Sequence, residues 1–423
     1  MKYKKLTLKD FGIKREEKTL KNGCRVILYK KKNLPLFMKA CFLAGSRFDP
    51  KGKEGLAHFV EHMLVSKTKN FATKDKLAMS LERYGGSFSL ATNNNFIYIN
   101  GEVGDIRDLD VLMNFFNEVI NNPVFTKKNF LTEKGSIINE IGNFNLSPSS
   151  FFSEIFLNTF YKETPLEKNT LGTEESLKKI NLKDIIVFYN KNITPQNCTI
   201  IACGDIKIDE LIKKIEQKIK FKNKGNNEMK RIVYSLPTEG KKIFLNNALS
   251  NQSLINIGFR VPSGFNYSPE IEAIGMILAD GRASRLKKKL RYDKGLVYAI
   301  YSSYMTYQDA GGFLIKTTAN QKTVDEVIKI IFKELDGIRR DGVTKEELSF
   351  IKDKIYKSVK IDLQTAKDWV NDNYSLEILY KNKETRLDLV NKIIKVTNKD
   401  IIKISNKYLS EEKAYVGIYT KDI

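Results

Sequence analysis

The 423-residue sequence predicts an α+β fold made of two homologous halves. Strand-like apolar segments and longer helical segments occur in one order, and that order recurs after the middle of the chain. Short sequences also repeat: Lys183-Asp184-Ile185-Ile186 matches Lys399-Asp400-Ile401-Ile402, and Thr126-Lys127 matches Thr344-Lys345. The offsets are 216 (399 − 183) and 218 (344 − 126). A period near half the chain is far too long for a solenoid and indicates two copies of one fold.

The first half is predicted to begin with a strand at residues 17–31, around Asn22-Gly23, and a mostly apolar strand at 36–44. A polar loop at 45–55 leads into a helix that is apolar nearly all round, which is typical of a buried helix. The remaining predicted elements are helices at 73–84, 103–122 and 126–141, an extended segment at 87–101, further helix at 148–191 with breaks near Pro165 and Gly172, and a strand at 197–204.

A polar, glycine-containing segment without periodicity at 222–231 is predicted to be a linker. It separates an N-terminal domain, 1–221, from a C-terminal domain, 232–423. The predicted elements of the second half are strands at 242–247 and 252–260, helices from 267, strands near 296–318, a helix pair at 322–380 and a final strand.

The net charge of +22 comes from 72 Lys and Arg against 50 Asp and Glu. Such an excess can indicate affinity for nucleic acid or acidic surfaces. However, no long basic run, basic helix face or nucleic-acid module accompanies it. We therefore interpret the lysines as scattered over solvated faces and expect no nucleic-acid partner.

Cys24, Cys41, Cys198 and Cys203 lie in apolar, strand-like segments and lack the close pairs of a cysteine zinc site. They are predicted to be buried, reduced thiols, as in a cytosol-like compartment. No apolar run approaches the ~18 residues of a membrane span, and no apolar signal core follows the first residues. The sequence thus predicts a cytoplasmic protein without a membrane partner.

The two histidines of the chain both lie in the sequence His58-Phe-Val-Glu61-His62. Helical residues four apart lie on one face, so both imidazoles can bind one metal ion. Glu61 is close enough to act as general base for a water molecule at that ion, and H-x-x-E-H is among the zinc peptidase signatures. The alternative is a helix whose histidines only satisfy hydrogen bonds; the acid at this spacing makes it the weaker interpretation.

A zinc site with two histidines usually has a third protein ligand and an open position. No other histidine exists, so a carboxylate is the natural candidate. Glu140 lies in the predicted 126–141 helix, with Glu133 two turns earlier on the same face. One of them could bind the metal while the other supports a ligand.

Several segments resemble the pitrilysin/insulinase family of zinc peptidases, and they occur in order over nearly the whole chain. They are Gly45-Ser-Arg, Gly55-Leu-Ala-His-Phe-Val-Glu-His-Met, Gly85-Gly86-Ser, Ala91-Thr92, Asn122-Pro123-Val-Phe, Asn139-Glu140-Ile141, Leu171-Gly172-Thr, Gly281-Arg-Ala-Ser-Arg285-Leu and Leu290-Arg291-Tyr-Asp-Lys-Gly295-Leu-Val-Tyr298. The resemblance implies two homologous α/β-sandwich-like domains, each a mostly antiparallel sheet packed with helices. Together they would form half of a peptidase chamber.

The resemblance also implies a site. One Zn²⁺ per chain would be bound by His58, His62 and Glu140, with Glu61 as general base and Glu133 as a supporting carboxylate. Arg291 and Tyr298 would bind substrate carbonyls, since a guanidinium and a phenol can both donate to an oxyanion.

The strand from Ser87 to Thr92 would be the edge to which a peptide adds, with contacts from Ser89, Leu90 and Ala91. The family often has an asparagine before the alanine, where this chain has Ser89-Leu90. The Asn93-Asn94-Asn95 segment that follows is also a residue short of the family pattern. The strand register is therefore the least defined part of the expected site.

The expected function is a zinc-dependent endopeptidase that hydrolyses short or unfolded peptides inside a closed chamber. The length resembles the two-domain type, such as mitochondrial processing peptidase subunits and bacterial homologues. Because the chain has both the metal motif and the clamp, a homodimer is the simplest expectation. The alternatives are a processing subunit that pairs with a different homologous chain, and a non-catalytic homologue that binds peptides or a partner.

Overall fold

The computed structural model describes residues 3–225, 239–246, 252–262, 266–307, 310–380 and 384–421. Most of the predicted linker, the predicted boundary at 232 and the last residue of the predicted 242–247 strand lie outside these ranges. The described residues form two mixed β-sheets covered by helices, which confirms the α+β class.

The first sheet has six strands in the order β1-β2-β6-β3-β5-β4. They are β1 Lys14–Thr19, β2 Arg25–Lys30, β3 Leu36–Phe42, β4 Ser87–Thr92, β5 Ile97–Val103 and β6 Cys198–Gly204. The second sheet has five strands in the order β7-β11-β8-β10-β9. They are β7 Lys242–Asn246, β8 Gln252–Val261, β9 Val297–Thr306, β10 Gly311–Asn320 and β11 Tyr415–Thr420.

The two sheets have the same topology once β1 is set aside. Numbered along the chain, the five strands of each half are arranged 1-5-2-4-3. In both halves the first and fifth strands pair in parallel, and the other neighbours pair antiparallel. The internal repeat and the mostly antiparallel sheets are therefore confirmed.

The helices also follow the repeat. Those of the first half are α1 Leu56–Ser66, α2 Lys74–Glu82, α3 Leu109–Asn121, α4 Lys127–Leu146, α5 Pro148–Phe160, α6 Glu174–Lys179, α7 Leu182–Asn192 and α8 Ile208–Lys218. Those of the second half are α9 Pro269–Ala279, α10 Val324–Asp341, α11 Lys345–Asp362, α12 Ala366–Leu379, α13 Arg386–Ile393 and α14 Asn398–Tyr408, with a π-helix at Lys287–Asp293. The repeated Thr126 and Thr344 are the N-caps of α4 and α11.

Two predicted single segments are hairpins. The strand predicted at 17–31 is β1 and β2, which reverse around Gly23 at a φ of 92°. The extended segment at 87–101 is β4 and β5, because the Asn93 side chain accepts N–H bonds from Asn95 and Phe96 and closes a turn. Asn and Gly favour such turns. The alternating strand pattern continues across each turn, so the sequence predicts one extended segment instead of two strands.

Three helix predictions had wrong bounds. The 103–122 helix begins only at Leu109, because β5 continues to Val103 and a short 3₁₀ turn follows. The 126–141 helix continues past Gly142 to Leu146. The helix pair at 322–380 is three helices, since α10 ends at Gly342 with φ 75° and Thr365 caps α12.

One helix of each half covers the sheet of the other half. Helix α5 packs its aromatic side chains on glycines of the second sheet, through Phe152, Phe156 and Phe160. The packing is close, because a Cβ placed at Gly417 would lie 2.6 Å from Phe156 Cδ2. Equivalently, α12 packs on β3 and β6 of the first sheet. These helices start 218 residues apart (366 − 148), which equals the offset between Thr126 and Thr344.

Polar contacts hold α12 on the first sheet. Glu377, whose side chain is fully buried, accepts hydrogen bonds from Arg15 Nε at 2.6 Å and Nη2 at 2.7 Å, and one from the Tyr29 hydroxyl. The Lys39 ammonium lies 4.1 Å from the ring centroids of both Tyr98 and Tyr374. The two halves are thus joined through a sheet face rather than along an edge.

Among the described helices, none has the length and apolarity needed to cross a membrane.

Candidate active site

A buried aspartate binds the N-terminal end of the motif helix α1. Asp49 accepts hydrogen bonds from the N–H groups of Gly55 and Ala57, both at 2.8 Å. Burial raises the pKa of this carboxyl to about 7, against the opposing effect of the two N–H groups. Gly55 has a φ of 92°, and a Cβ there would lie 2.6 Å from the Leu171 carbonyl oxygen. Asp49 therefore fixes where α1 starts, a role that sequence reasoning did not predict.

Three side chains from α1 and α4 converge on one point. The Nε2 atoms of His58 and His62 each lie 3.7 Å from the same Glu140 oxygen. One ligand atom from each of the three residues lies within 4.8 Å of the others. Tetrahedral zinc with ligands at 2.0–2.2 Å places neighbouring donor atoms about 3.4 Å apart. The predicted set of His58, His62 and Glu140 thus fits a zinc ion in both chemistry and spacing.

Glu133 contacts the other nitrogen of His62. Its Oε2 lies 3.1 Å from His62 Nδ1, which leaves Nε2 directed at the cluster. A carboxylate in this position fixes the orientation and tautomer of a metal-binding histidine. Since α4 carries Glu133 and Glu140 two turns apart, one helix face supplies both carboxylates.

His58 is buried and is held neutral. Its burial, with a further contribution from His62, lowers the pKa of His58 to about 4. A histidine must be neutral to bind a metal. Its Nδ1 has no hydrogen-bond partner in the described part of the chain.

Glu61 lies between the cluster and the edge strand. The Thr92 hydroxyl of β4 donates to Glu61 Oε2 at 2.8 Å. Burial raises the pKa of Glu61, while the Thr92 hydrogen bond and His62 act in the opposite direction. The contribution of Thr92 to the position of Glu61 was not predicted. Its signals in the sequence are its place at the end of the expected edge strand and the Ala91-Thr92 segment of the resemblance.

The edge strand β4 pairs with β5 on one side and with no other strand among the described residues. A groove of about 750 Å³ runs beside it and reaches Glu61, His62 and Glu133. Ser89 and Leu90 line this groove, together with Phe88 and Ser87, whereas Ala91 does not. The register is Ser89 opposite Asn100 and Ala91 opposite Tyr98. Two of the three predicted strand contacts therefore face the groove.

Arg291 and Tyr298 lie together in the second half. The guanidinium carbon of Arg291 is 4.9 Å from the Tyr298 ring centroid, and Tyr298 is 79% exposed. Among the described residues, no hydrogen bond, ion pair or ring contact joins this pair to the cluster of His58, His62 and Glu140. Tyr298 stands on β9, which occupies the same position in the second sheet as β4 does in the first.

Comparison with known proteins gives the family. Residues 38–174 match the model described as "Insulinase (Peptidase family M16)", and residues 179–355 match "Peptidase M16 inactive domain". The chain belongs to the peptidase M16 family. The match at 38–174 lies within the first half and includes the two histidines, whereas the match at 179–355 runs from the end of the first half into the second and includes no histidine.

M16 relatives of similar length match nearly the whole chain. A protein named as an uncharacterized zinc protease of Rickettsia bellii is 25% identical over 404 residues, which are 92% of this chain and 94% of the relative. The zinc protease PqqE of Helicobacter pylori is 24% identical over 417 residues, 95% of this chain and 91% of the relative.

Solved structures show the same M16 fold. A protease from Helicobacter pylori superposes with a TM-score of 0.87 at 20% identity, over 96% of this chain and 99% of that one. Pitrilysin superposes with a TM-score of 0.77 at 20% identity, over 97% of this chain but 45% of pitrilysin. This chain thus corresponds in fold to about half of pitrilysin.

Proposed function

We propose that this protein is a zinc-dependent endopeptidase that hydrolyses short or unfolded peptides. The observation that carries the proposal is the convergence of His58, His62 and Glu140 on one point, with Glu61 beside it at the end of an open strand edge. M16 relatives named as zinc proteases support the same conclusion.

His58, His62 and Glu140 would hold the zinc. When bound, the ion supplies Lewis-acid chemistry, lowering the pKa of water and polarising a carbonyl. Glu61 takes the proton from the attacking water and delivers it to the leaving amine. Thr92 keeps the Glu61 carboxylate in place, and Glu133 keeps the His62 ring in place.

The substrate would bind as an added strand along β4. Backbone hydrogen bonds to an open edge require an extended peptide, so folded segments are excluded. Ser89 and Leu90 would contact the peptide where they line the groove. Arg291 and Tyr298 would donate hydrogen bonds to substrate carbonyls as charge develops on them.

The proposed assembly is a homodimer that encloses a chamber. A second copy would bring an Arg291–Tyr298 pair to the cluster of the first. Within the described part of one chain no hydrogen bond, ion pair or ring contact joins the pair to the cluster, which supports this arrangement. A cytoplasmic setting is part of the proposal, and the four buried, unpaired cysteines are in keeping with a reducing compartment.

The decisive experiment compares the wild type with Glu61→Gln on a library of unstructured peptides. We expect Glu61→Gln to retain zinc and to lose hydrolysis by a factor of about 10² to 10⁴. Chelation should stop hydrolysis by the wild type, and added zinc should restore it. Glu216→Gln, an exposed glutamate on α8, is the matched control. Cleavage by Glu61→Gln at the wild-type rate would contradict the proposed mechanism.

A second candidate is a non-catalytic homologue, or a subunit that needs a different partner chain. The match of residues 179–355 to an inactive-domain model is the observation that favours it. Zinc content and molar mass of the purified chain discriminate: a zinc-free protein indicates a binding role, and a zinc-loaded but inactive monomer indicates a missing partner.

A further inference from the structure

Two cation–aromatic pairs stand side by side on the exposed face of β9. One is the Arg291–Tyr298 pair, at 4.9 Å. In the other, the Lys287 ammonium lies 5.7 Å from the centroid of the Tyr301 ring. Tyr298 is 79% exposed and Tyr301 is 63% exposed, so both rings are open to a ligand.

A β-bulge brings the two tyrosines to the same face. Ile300 pairs with Thr317 and Val297 with Ala319, so β9 has one residue more than β10 over this stretch. Val297 and Ile300 both face the core although they are three residues apart. Without the bulge, residues three apart in a strand would point to opposite faces. The extra residue therefore turns Tyr298 and Tyr301 outward together.

The two cations come from the π-helix at Lys287–Asp293. Lys287 and Arg291 are four residues apart, and helical residues at that spacing lie on one face. Short π-helical segments are uncommon and frequently occur at functional sites. The bulge and the π-helix together align two cations over two exposed rings.

Neither cation has an acidic partner. Among the described residues, no carboxylate oxygen lies within 4.0 Å of Lys287 or Arg291. Of the neighbouring lysines, Lys289 pairs with Glu334 and Lys294 pairs with Glu326 at 2.7 Å, whereas the exposed Lys288 has no acidic partner among the described residues. The surface around the pairs thus presents uncompensated positive charge, and of these unpaired cations Lys287 and Arg291 lie over the exposed rings of β9.

We propose that Lys287 and Tyr301 form a second substrate-binding pair beside Arg291 and Tyr298, and that it selects a peptide carboxylate near the scissile bond. This inference rests on the proposed peptidase function. Side chains on one face of an extended peptide recur about every 7 Å, so adjacent pairs can contact successive side chains on that face. A lysine is a compact charge that attracts a carboxylate without requiring one fixed geometry.

The carboxylate could belong to an Asp or Glu side chain or to the C-terminus of the peptide. Both offer the same group to Lys287. They are separated by two sets of peptides: one set exchanges Glu for Gln at each position within three residues of the cleavage site, and the other exchanges a C-terminal acid for an amide.

For each peptide pair the experiment measures two ratios of the acidic member to the neutral member: the ratio of their kcat/KM values and the ratio of their binding affinities. Binding is measured by fluorescence anisotropy with zinc-loaded protein carrying Glu61→Gln. We expect the acidic member to be favoured about threefold in at least one pair, as for a partly exposed charge pair. Lys287→Gln should reduce that ratio to about one. Tyr301→Leu should also reduce it. The control is Lys288→Gln, which removes the same charge from an exposed neighbour without a ring contact and should retain the wild-type ratio.

The outcomes separate this inference from the proposed function. If the wild type cleaves no peptide but the Glu61→Gln protein binds the acidic member better in a way that depends on Lys287, the peptidase proposal fails and the carboxylate site stands. Equal cleavage of acidic and neutral peptides by the wild type, together with equal binding by the Glu61→Gln protein, would overturn the site. An equal effect of Lys287→Gln and Lys288→Gln would also overturn it, because it would reflect overall charge alone.

Discussion

The hydroxyl of Thr92 donates a hydrogen bond to Glu61 Oε2 over 2.8 Å, which joins the motif helix α1 to the edge strand β4. The carboxylate proposed as the base and the strand proposed to receive the peptide are therefore held in one relative position. A peptide paired along β4 would have its backbone aligned with Glu61 by the same contact.

Replacing Thr92 tests this coupling. Thr92→Val removes the hydroxyl at nearly constant volume and leaves Glu61 without its donor. A hydrogen bond to a charged group contributes about 1.5–3 kcal/mol, so kcat should fall about tenfold or more, with zinc content unchanged. Thr92→Ser should recover most of the rate. If the valine and serine variants are equally slow, the methyl group rather than the hydrogen bond is responsible.

Glu133 is predicted to affect zinc affinity. Glu133→Gln keeps the shape of the side chain but weakens the acceptor for His62 Nδ1. Loss of such a supporting carboxylate typically lowers metal affinity by about 10- to 100-fold. Competition with a chromophoric chelator measures the change, and Glu216→Gln provides the baseline. A wild-type zinc affinity in Glu133→Gln would show that the contact does not support the site.

Glu377→Gln should destabilise the whole protein. Its fully buried carboxylate binds Arg15 through two hydrogen bonds. The amide removes this charge and leaves Glu17, at 2.7 Å from Arg15 Nη2, as the counter-charge of Arg15 among the described residues. Breaking a buried pair costs about 3–5 kcal/mol. Because Arg15 is 21% exposed, we expect about 2–3 kcal/mol in urea unfolding. Asp341→Asn in the exposed Arg340–Asp341 pair should have little effect on urea unfolding, because solvent screens exposed ion pairs; equal losses would argue against a special role for Glu377.

Two Gly→Ala substitutions should have opposite effects on stability. At Gly417 the new methyl would lie 2.6 Å from Phe156 Cδ2, and overpacking of this kind costs about 1–3 kcal/mol. At Gly337, inside α10, nothing lies within 4 Å of the new methyl, and alanine is favoured over glycine in a helix by about 1 kcal/mol. Thermal unfolding of both variants shows whether each substitution raises or lowers the melting temperature. A neutral Gly417→Ala would mean that α5 can move away from the second sheet.

Local and repeated patterns made most of the first-half site predictable. His58, Glu61 and His62 share one helix face by spacing alone, and Glu133 and Glu140 share another. The resemblance implied a site shared by the two faces, and in the structure the Nε2 atoms of His58 and His62 lie 3.7 Å from Glu140 Oε2. The repeated Lys183 and Lys399 segments likewise fall on the equivalent helices α7 and α14.

The remaining features depend on tertiary contacts without a local signal. Asp49 binds N–H groups six and eight residues later, which only the path of the loop brings within reach. The bulge before Ile300 is visible only in the pairing with β10. The apolar face of α12 indicates that the helix is covered, but not that the covering sheet belongs to the other half.

The reciprocal placement of α5 and α12 has a consequence for how such a chain could arise. A single half would leave one face of its own sheet bare and one helix without a surface to cover. Two identical copies could satisfy each other only as a domain-swapped dimer, since each supplies the element that the other lacks. Joining the copies in one polypeptide makes that exchange intramolecular, so that its completeness no longer depends on protein concentration. The histidine-free half is in this view the retained partner of an ancestral pair.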